Sequence, residues 1–360
     1  MLCLLAGGLT VLAQNAPQNA PRMVPVPADS REVAAGKIQV AKTPASREAA
    51  LKLLTRARNS YLMRDAHQPW DLKVRLVVDS GGQTNHDGEW EMEDQFAPGQ
   101  GLHWTAKSST GYAISGIFAG KETYTEATAG WIPLRLQEAR AMLFNPLPSV
   151  AYARSGSIRT STGSLHGSSV TCLLLSRSKI EISSGRGWDE TEECIDPDTG
   201  LLQMHSDVPG RYAVYDYSNG TPLNGHLLPH TITITEAGRV VSTITVESLQ
   251  PISGVDPSLF VPTDAMKAAP ATIMGSATRI SRMQGPGPFT SSMTVRPVCV
   301  MGLLTPTGQL VEVHSLQPSD PNSDAAIKDA QGIDFSLTIH AGAPPQQHFV
   351  YVIENFVTGT

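Results

Sequence analysis

Met293-Thr294-Val295-Arg296-Pro297-Val298-Cys299-Val300-Met301 is an apolar run rich in β-branched residues, and it decides how the last part of the chain folds. It reads as a strand. The turn Thr305-Pro306-Thr307-Gly308 sends it back into an antiparallel partner over Gln309 to Leu316. A short helix over Ser323 to Ala330 follows, with Asp324 in its first turn. Then come Ile333-Asp334-Phe335, a Gly-Ala-Pro-Pro turn from Gly342 to Pro345, and a last strand over His348 to Phe356. Strand, turn, strand, helix, strand describes a small α+β module occupying residues 288–360.

Working back from this module, residues 266–287 hold Ala, Pro, Met and Gly with little alternation, and they read as a boundary. Before them Leu72, Val74, Leu76 and Val78 alternate with more polar neighbours, as in a strand with one face toward a core. Similar stretches are Ala113 to Phe118, Glu122 to Thr128, Ser169 to Leu175, Lys179 to Ser183, Leu202 to Ser206, Tyr212 to Tyr217, His230 to Thr235 and Val240 to Ser248. So many strands with few helices predict a large antiparallel sheet over 44–265. Two helices are available to fill its concave face. One runs from Pro44 to Met63, with Thr43 as its cap, and the other from Leu134 to Phe144. The fold class is therefore mainly β with α: a curved antiparallel sheet covered by helices, followed by the small C-terminal module.

The chain of 360 residues is long enough for two cores. Its 41% hydrophobic and 17% charged residues describe a globular chain. A net charge of −6 without clustered Lys and Arg excludes counterion-driven nucleic-acid binding. Residues 1–13 are apolar and end on a small residue, Ala13, like a secretory leader, and they are too short to span a bilayer alone. Residues 14–43 carry Pro17, Pro21, Pro25 and Pro27 and read as an extended Pro-rich tether. Cys172 and Cys194 fall in neighbouring strand-like segments of an exported chain and are expected to form a disulfide, while Cys299 sits in an apolar strand as a buried thiol.

Motifs with catalytic or metal chemistry have simpler readings. Gly163-Ser164-Leu165-His166-Gly167 places its Ser one position too early for a nucleophile elbow and reads as a turn. Gly116 to Glu122 falls one residue short of a phosphate loop and reads as a hairpin. His226 and His230 have the spacing of zinc ligands on a helix, but Gly225 and Pro229 disfavour a helix there. The pairs Glu91 with Glu93, and Glu192 with Glu193, read as solvated charges. No catalytic residue, cofactor or metal is expected. An apolar cluster of Trp131, Leu134, Leu136, Met142, Leu143 and Phe144 is the candidate ligand-binding surface, suited to an irregular apolar ligand if it lines a cavity.

Two family resemblances bear on function. The order of elements at the C-terminus, with Asp324 opening Ala325-Ala326-Ile327 and a Phe closing the last strand, resembles the TonB C-terminal domain. That resemblance implies a periplasmic module pairing with peptide strands of an outer-membrane or periplasmic protein. It points to Phe349, Val350, Tyr351, Val352 and Ile353 as partner-binding residues on an edge strand. The segments Gly88 to Trp104, Asp196-Pro197-Asp198-Thr199-Gly200-Leu201-Leu202, Pro222 to Ile232 and Val255 to Phe260 resemble the LolA/LolB lipoprotein-carrier superfamily. That resemblance implies a curved antiparallel half-barrel sheet covered by helices, with an apolar cavity that receives an acyl or lipid ligand. The joint expectation is an exported, non-enzymatic protein of the periplasm or cell envelope, with a TonB-type energy transducer as the alternative.

Overall fold

The computed structural model describes residues 22–23, 34–35, 38–61, 67–81, 86–128, 130–177, 185–223, 225–268, 277–285, 293–335 and 346–358. The expected leader, the Lys179 to Ser183 strand and the Gly342 to Pro345 turn lie outside them. Three short strands, β1 (Arg22–Met23), β2 (Ala34–Ala35) and β3 (Gln39–Val40), precede helix α1 (Pro44–Asn59). Then come β4 (Trp70–Val78), β5 (Gly88–Ala97), β6 (Gly101–Ser108), β7 (Ala113–Ala119) and β8 (Glu122–Ala127). Helices α2 (Leu134–Phe144) and α3 (Val150–Ser155) separate these from β9 (Ser157–Leu165), β10 (Ser168–Ser176), β11 (Thr191–Ile195), β12 (Leu202–Val208) and β13 (Arg211–Asp216). A small hairpin, β14 (Thr221–Leu223) and β15 (His226–Leu228), leads to β16 (Thr231–Glu236), β17 (Arg239–Pro251) and α4 (Asp264–Ala268). The C-terminal elements are β18 (Thr278–Gln284), β19 (Thr294–Leu304), β20 (Leu310–Ser315), α5 (Ser323–Gln331) and β21 (His348–Thr358).

Among the described residues, fourteen strands form one sheet that runs from β2 through β9–β13, β16, β17 and β4–β7 to β8, with β3 also on β9. Laid flat at about 4.8 Å per strand it would be roughly 60 Å wide, and an open sheet of that size buries one face by curling around its helices. A single core cluster accordingly joins Ile114 of β7, Ile158 of β9, Leu54 of α1 and Leu143 of α2. Thr43 caps α1 by accepting the Ser46 backbone N–H at 3.1 Å, and Ala50, Leu51, Leu54 and Ala57 turn its buried face to the sheet. Among the described residues no helix is long and apolar enough to cross a membrane.

The second sheet has the order β1-β19-β21-β18, with β20 pairing β19. Two expectations change here. The stretch read as a boundary contains β18, which pairs in parallel with β21 from Thr278 through Gln284. None of its side chains is buried, so it shows no apolar alternation to read. The described residues of the expected tether pair as strands, β1 on β19 and β2 and β3 on β9. They cover ladder groups that would otherwise be open at two margins.

Candidate functional site

Helix α2 is shared by the two parts of the molecule. Leu136, Ala139, Met142 and Leu143 enter the core of the large sheet, while Leu134 belongs to a second cluster with Trp188, Val208, Cys299, Met301, Phe349 and Tyr351. Pro133 precedes the helix and offers no side-chain cap. The orphan N–H of Leu134 instead donates to Gln347 Oε1, at 2.8 Å, so a C-terminal residue caps a helix of the half-barrel.

A buried ionic seam continues from that contact. The Arg135 guanidinium donates to Glu236 Oε1 at 2.5 Å and to Glu312 Oε2 at 2.7 Å. Arg211 donates to Glu236 Oε1 at 2.8 Å, to Asp207 Oδ2 at 3.1 Å and to Glu138. The Phe349 ring sits against both guanidinium groups, 5.6 Å from Arg135 and 4.5 Å from Arg211. Burial alone would push the Glu236 carboxyl up, but Arg135, His314 and Arg211 hold it well below the usual range. Glu312 is the reverse case, pushed up by burial against the weaker pull of Arg135. Glu312 also has φ of 52° within β20, a left-handed conformation that costs a non-glycine residue about 1–2 kcal/mol. That backbone turn lies where the β19–β20 register shifts.

The expected apolar surface is placed piece by piece. Leu136, Met142 and Leu143 are packed in the half-barrel core, Leu134 lies in the seam, and Phe144 packs partly buried beside Trp70. Trp131 stands edge-on to His86 and its carbonyl accepts the Tyr112 hydroxyl. The concave side also contains charge. Arg140 of α2 makes a bidentate pair with Asp94 of β5 at 2.7 and 2.8 Å and lies 3.9 Å over the Trp104 ring. Gly116 makes room for that indole, since a Cβ there would stand 2.0 Å from Trp104 Nε1.

The five residues expected on an edge strand lie on β21, which has β19 on one side and β18 on the other. They are interior, not at the edge. Phe349, Tyr351 and Ile353 face the half-barrel, while Val350 and Val352 pack with Ala326 and Ala330 of α5. Both faces of the strand are apolar because both are covered.

Cys172 and Cys194 are bonded, as cross-strand partners of β10 and β11, and Cys299 is a buried free thiol. Glu192 and Glu193 correct the expectation of solvated charges, for both are fully buried. Arg186 donates to Glu192 at 3.2 Å, and His205 pairs with Glu193 at 2.8 Å and with Asp207 at 3.1 Å. Their partners lie 6 or more positions away in sequence and on other segments, so local spacing did not reveal them. The Gly163 to Gly167 and Ala119 to Lys121 stretches are the hairpin turns expected, and His226 lies on a strand.

No family profile matches the chain, and no curated protein does. Among solved structures, a DUF1329 family protein from Desulfovibrio piger is 12% identical with a TM-score of 0.39, covering 59% of this chain and 96% of its own. A LolA superfamily protein from Nitrosomonas europaea is 13% identical with a TM-score of 0.32, covering 59% and 97%. The Pseudomonas aeruginosa MucA/MucB complex is 12% identical with a TM-score of 0.27, covering 69% of each. At TM-scores below 0.5 these likenesses carry no argument, and the fold rests on the large antiparallel sheet described above.

Proposed function

We propose that the chain is an exported, non-enzymatic protein of the periplasm or cell envelope that works by protein contact. The half-barrel serves as the scaffold, and the TonB-like C-terminal module is the surface offered to an outer-membrane or periplasmic protein. The observation that carries this reading is how the module is buried. It gives one whole face of β19 and β21 to the half-barrel through the seam, which leaves α5 and β18 turned outward. The disulfide supports an oxidising compartment. The buried carboxylates Asp94, Glu192, Glu193 and Glu236 are held in internal ion pairs, which supports a structural role for them. An acylated or otherwise apolar ligand against α2 would have to displace that helix and its Arg140–Asp94 pair, which favours the reading of contact through the C-terminal module.

The test is photo-crosslinking in intact Gram-negative cells, with a benzophenone amino acid at Lys328 on α5 or at Val77 on the outward face of β4. An adduct with one envelope protein from position 328 and not from 77 is expected. Equal adducts from both positions, or none from 328, would overturn the reading.

A further inference from the structure

Helix α1 is a basic element in an acidic chain. It holds Arg47, Lys52, Arg56 and Arg58 against one carboxylate, Glu48, while the whole chain has a net charge of −6. Its three guanidinium groups clamp the helix to its neighbours through carbonyl oxygens, which leaves their charge uncompensated. Arg47 donates to the carbonyls of Arg154 at 2.7 Å and Gly156 at 2.9 Å, at the end of α3. Arg58 donates to the Pro148 carbonyl at 2.8 Å, and Arg56 to that of Pro197. Lys52 is exposed.

Further cations gather beside the clamps. Lys42 is exposed and follows Ala41, whose N–H donates to the Ile158 carbonyl at 3.0 Å. Arg154 is exposed on α3, and Arg177 is exposed just past β10, 5.0 Å from the centre of the Tyr152 ring. None of Lys42, Lys52, Arg154 and Arg177 has an ion-pair partner among the described residues. Exposed cations on the strands differ, since Lys73 faces Glu93, Arg75 faces Glu89 and Glu247, and Arg239 faces Asp79. The other carboxylates of this region are Asp189, Asp196 and Asp198. Asp189 accepts the Ser176 hydroxyl, and Asp196 accepts the N–H groups of Asp198 and Thr199 at 2.8 and 2.9 Å. With Glu48 they are outnumbered by the cations, so the face is positive. Val40, two residues before Lys42, is 47% exposed, one of few large apolar side chains open to solvent.

Beyond the contact made by the C-terminal module, and independent of it, we propose that the α1–α3 face docks on an anionic bilayer surface. Lys42, Lys52, Arg154 and Arg177 meet the headgroup phosphates, while Val40 and the half-buried Tyr152 ring reach the boundary between headgroups and acyl chains. A bilayer suits this face better than an acidic protein segment does. Its cations stand on separate elements, the lead into α1, α1 itself, α3 and the end of β10, and a plane of phosphates neutralises scattered charges without demanding that they converge. A carboxylate on a peptide needs a fork of donors, and the forks of Arg47, Arg56 and Arg58 are already filled by carbonyls. An exposed apolar residue beside cations, with an aromatic ring close by, is the composition that rests at a membrane boundary. The attraction acts within a Debye length of about 8 Å at physiological salt, so it operates only when this face is against the surface.

The experiment is co-sedimentation of the full chain with vesicles of phosphatidylcholine alone and with vesicles in which half of it is replaced by phosphatidylglycerol. The chain should bind only the second kind, in low salt, and leave it in molar salt. Each cation removed should weaken partition about fivefold, so Lys42→Gln with Arg154→Gln and Arg177→Gln should bind about a hundredfold more weakly. Lys107→Gln with Lys121→Gln and Lys328→Gln changes the net charge equally on other faces, and should bind within about fivefold of the unaltered chain. Circular dichroism shows whether each variant is folded. Should the first variant not fold, Lys42→Gln with Lys52→Gln replaces it, with a loss of about twentyfold expected. Failure of the unaltered chain to bind phosphatidylglycerol vesicles overturns the proposal, as does an equal loss in the control variant, which would trace binding to net charge alone. Binding to soluble polyglutamate as tight as to the vesicles also overturns it, and would make an acidic protein the occupant.

Discussion

Leu134 and Gln347, which are 213 positions apart, share a 2.8 Å hydrogen bond in which the first backbone N–H of α2 donates to a side chain of the C-terminal module. Gln347→Leu leaves that N–H buried without an acceptor. A loss of about 1–3 kcal/mol in urea unfolding is expected, the cost of one unsatisfied buried donor.

The ionic seam is a harsher site. Arg135→Ala would leave Glu236 and Glu312 buried without their shared cation, and breaking a buried pair by removing one member costs about 3–5 kcal/mol. Arg135→Ala with Glu312→Ala should destabilise by less than the two single changes added together. Strict additivity in that double-mutant cycle would show that the two side chains do not interact.

Glu312 itself separates charge from backbone. Both Glu312→Ala and Glu312→Gly remove the carboxylate, but only glycine accepts φ of 52° without penalty. The glycine variant should therefore be about 1 kcal/mol more stable than the alanine variant, measured by urea midpoints.

How much of this was readable from the chain depended on whether a residue's neighbours lay close by. The limits of α2, the hairpin around Thr305 to Gly308 and the pairing of Cys172 with Cys194 follow from local pattern, and the structure has all three. Thr278 to Gln284 gave no apolar signal because a strand held by its backbone needs none. Phe349, Tyr351 and Ile353 suggested an exposed partner surface, yet an apolar alternate face looks the same when an internal domain covers it. Arg135, Arg211 and Glu236 are scattered through the sequence and meet only in the folded chain.

His205 sets a pH dependence. Burial lowers its pKa, but Glu193 and Asp207 more than reverse this and bring it up to about 10 from an ordinary 6.5. Its contribution to stability is complete below about pH 6.5, where the unfolded chain is protonated too. Above that the unfolded chain sheds the proton while the folded chain keeps it, so stability falls by up to about 1.4 kcal/mol per pH unit until about pH 10. Urea unfolding across that range should show the decline, and His205→Gln should flatten it.

Reduction bears on the Cys172–Cys194 bond, whose sequence separation is 22. Closing a loop of that size contributes about 3 kcal/mol in the chain-entropy model, so the reduced protein should unfold at lower urea. Cys299, buried and with its thiol pushed up by burial, should resist alkylation until the chain unfolds.

Native-state hydrogen exchange on the full chain tests the central claim most directly, because the account joins a rigidly docked C-terminal sheet to a marginal strand, β18, with no buried side chain. Amides of α2, of β19 and of β21 on the ladder it shares with β19 should exchange only with global unfolding, while β18 and the β21 amides that bond to it should open far sooner. Equal protection of β18 and the β19–β21 ladder would contradict the account.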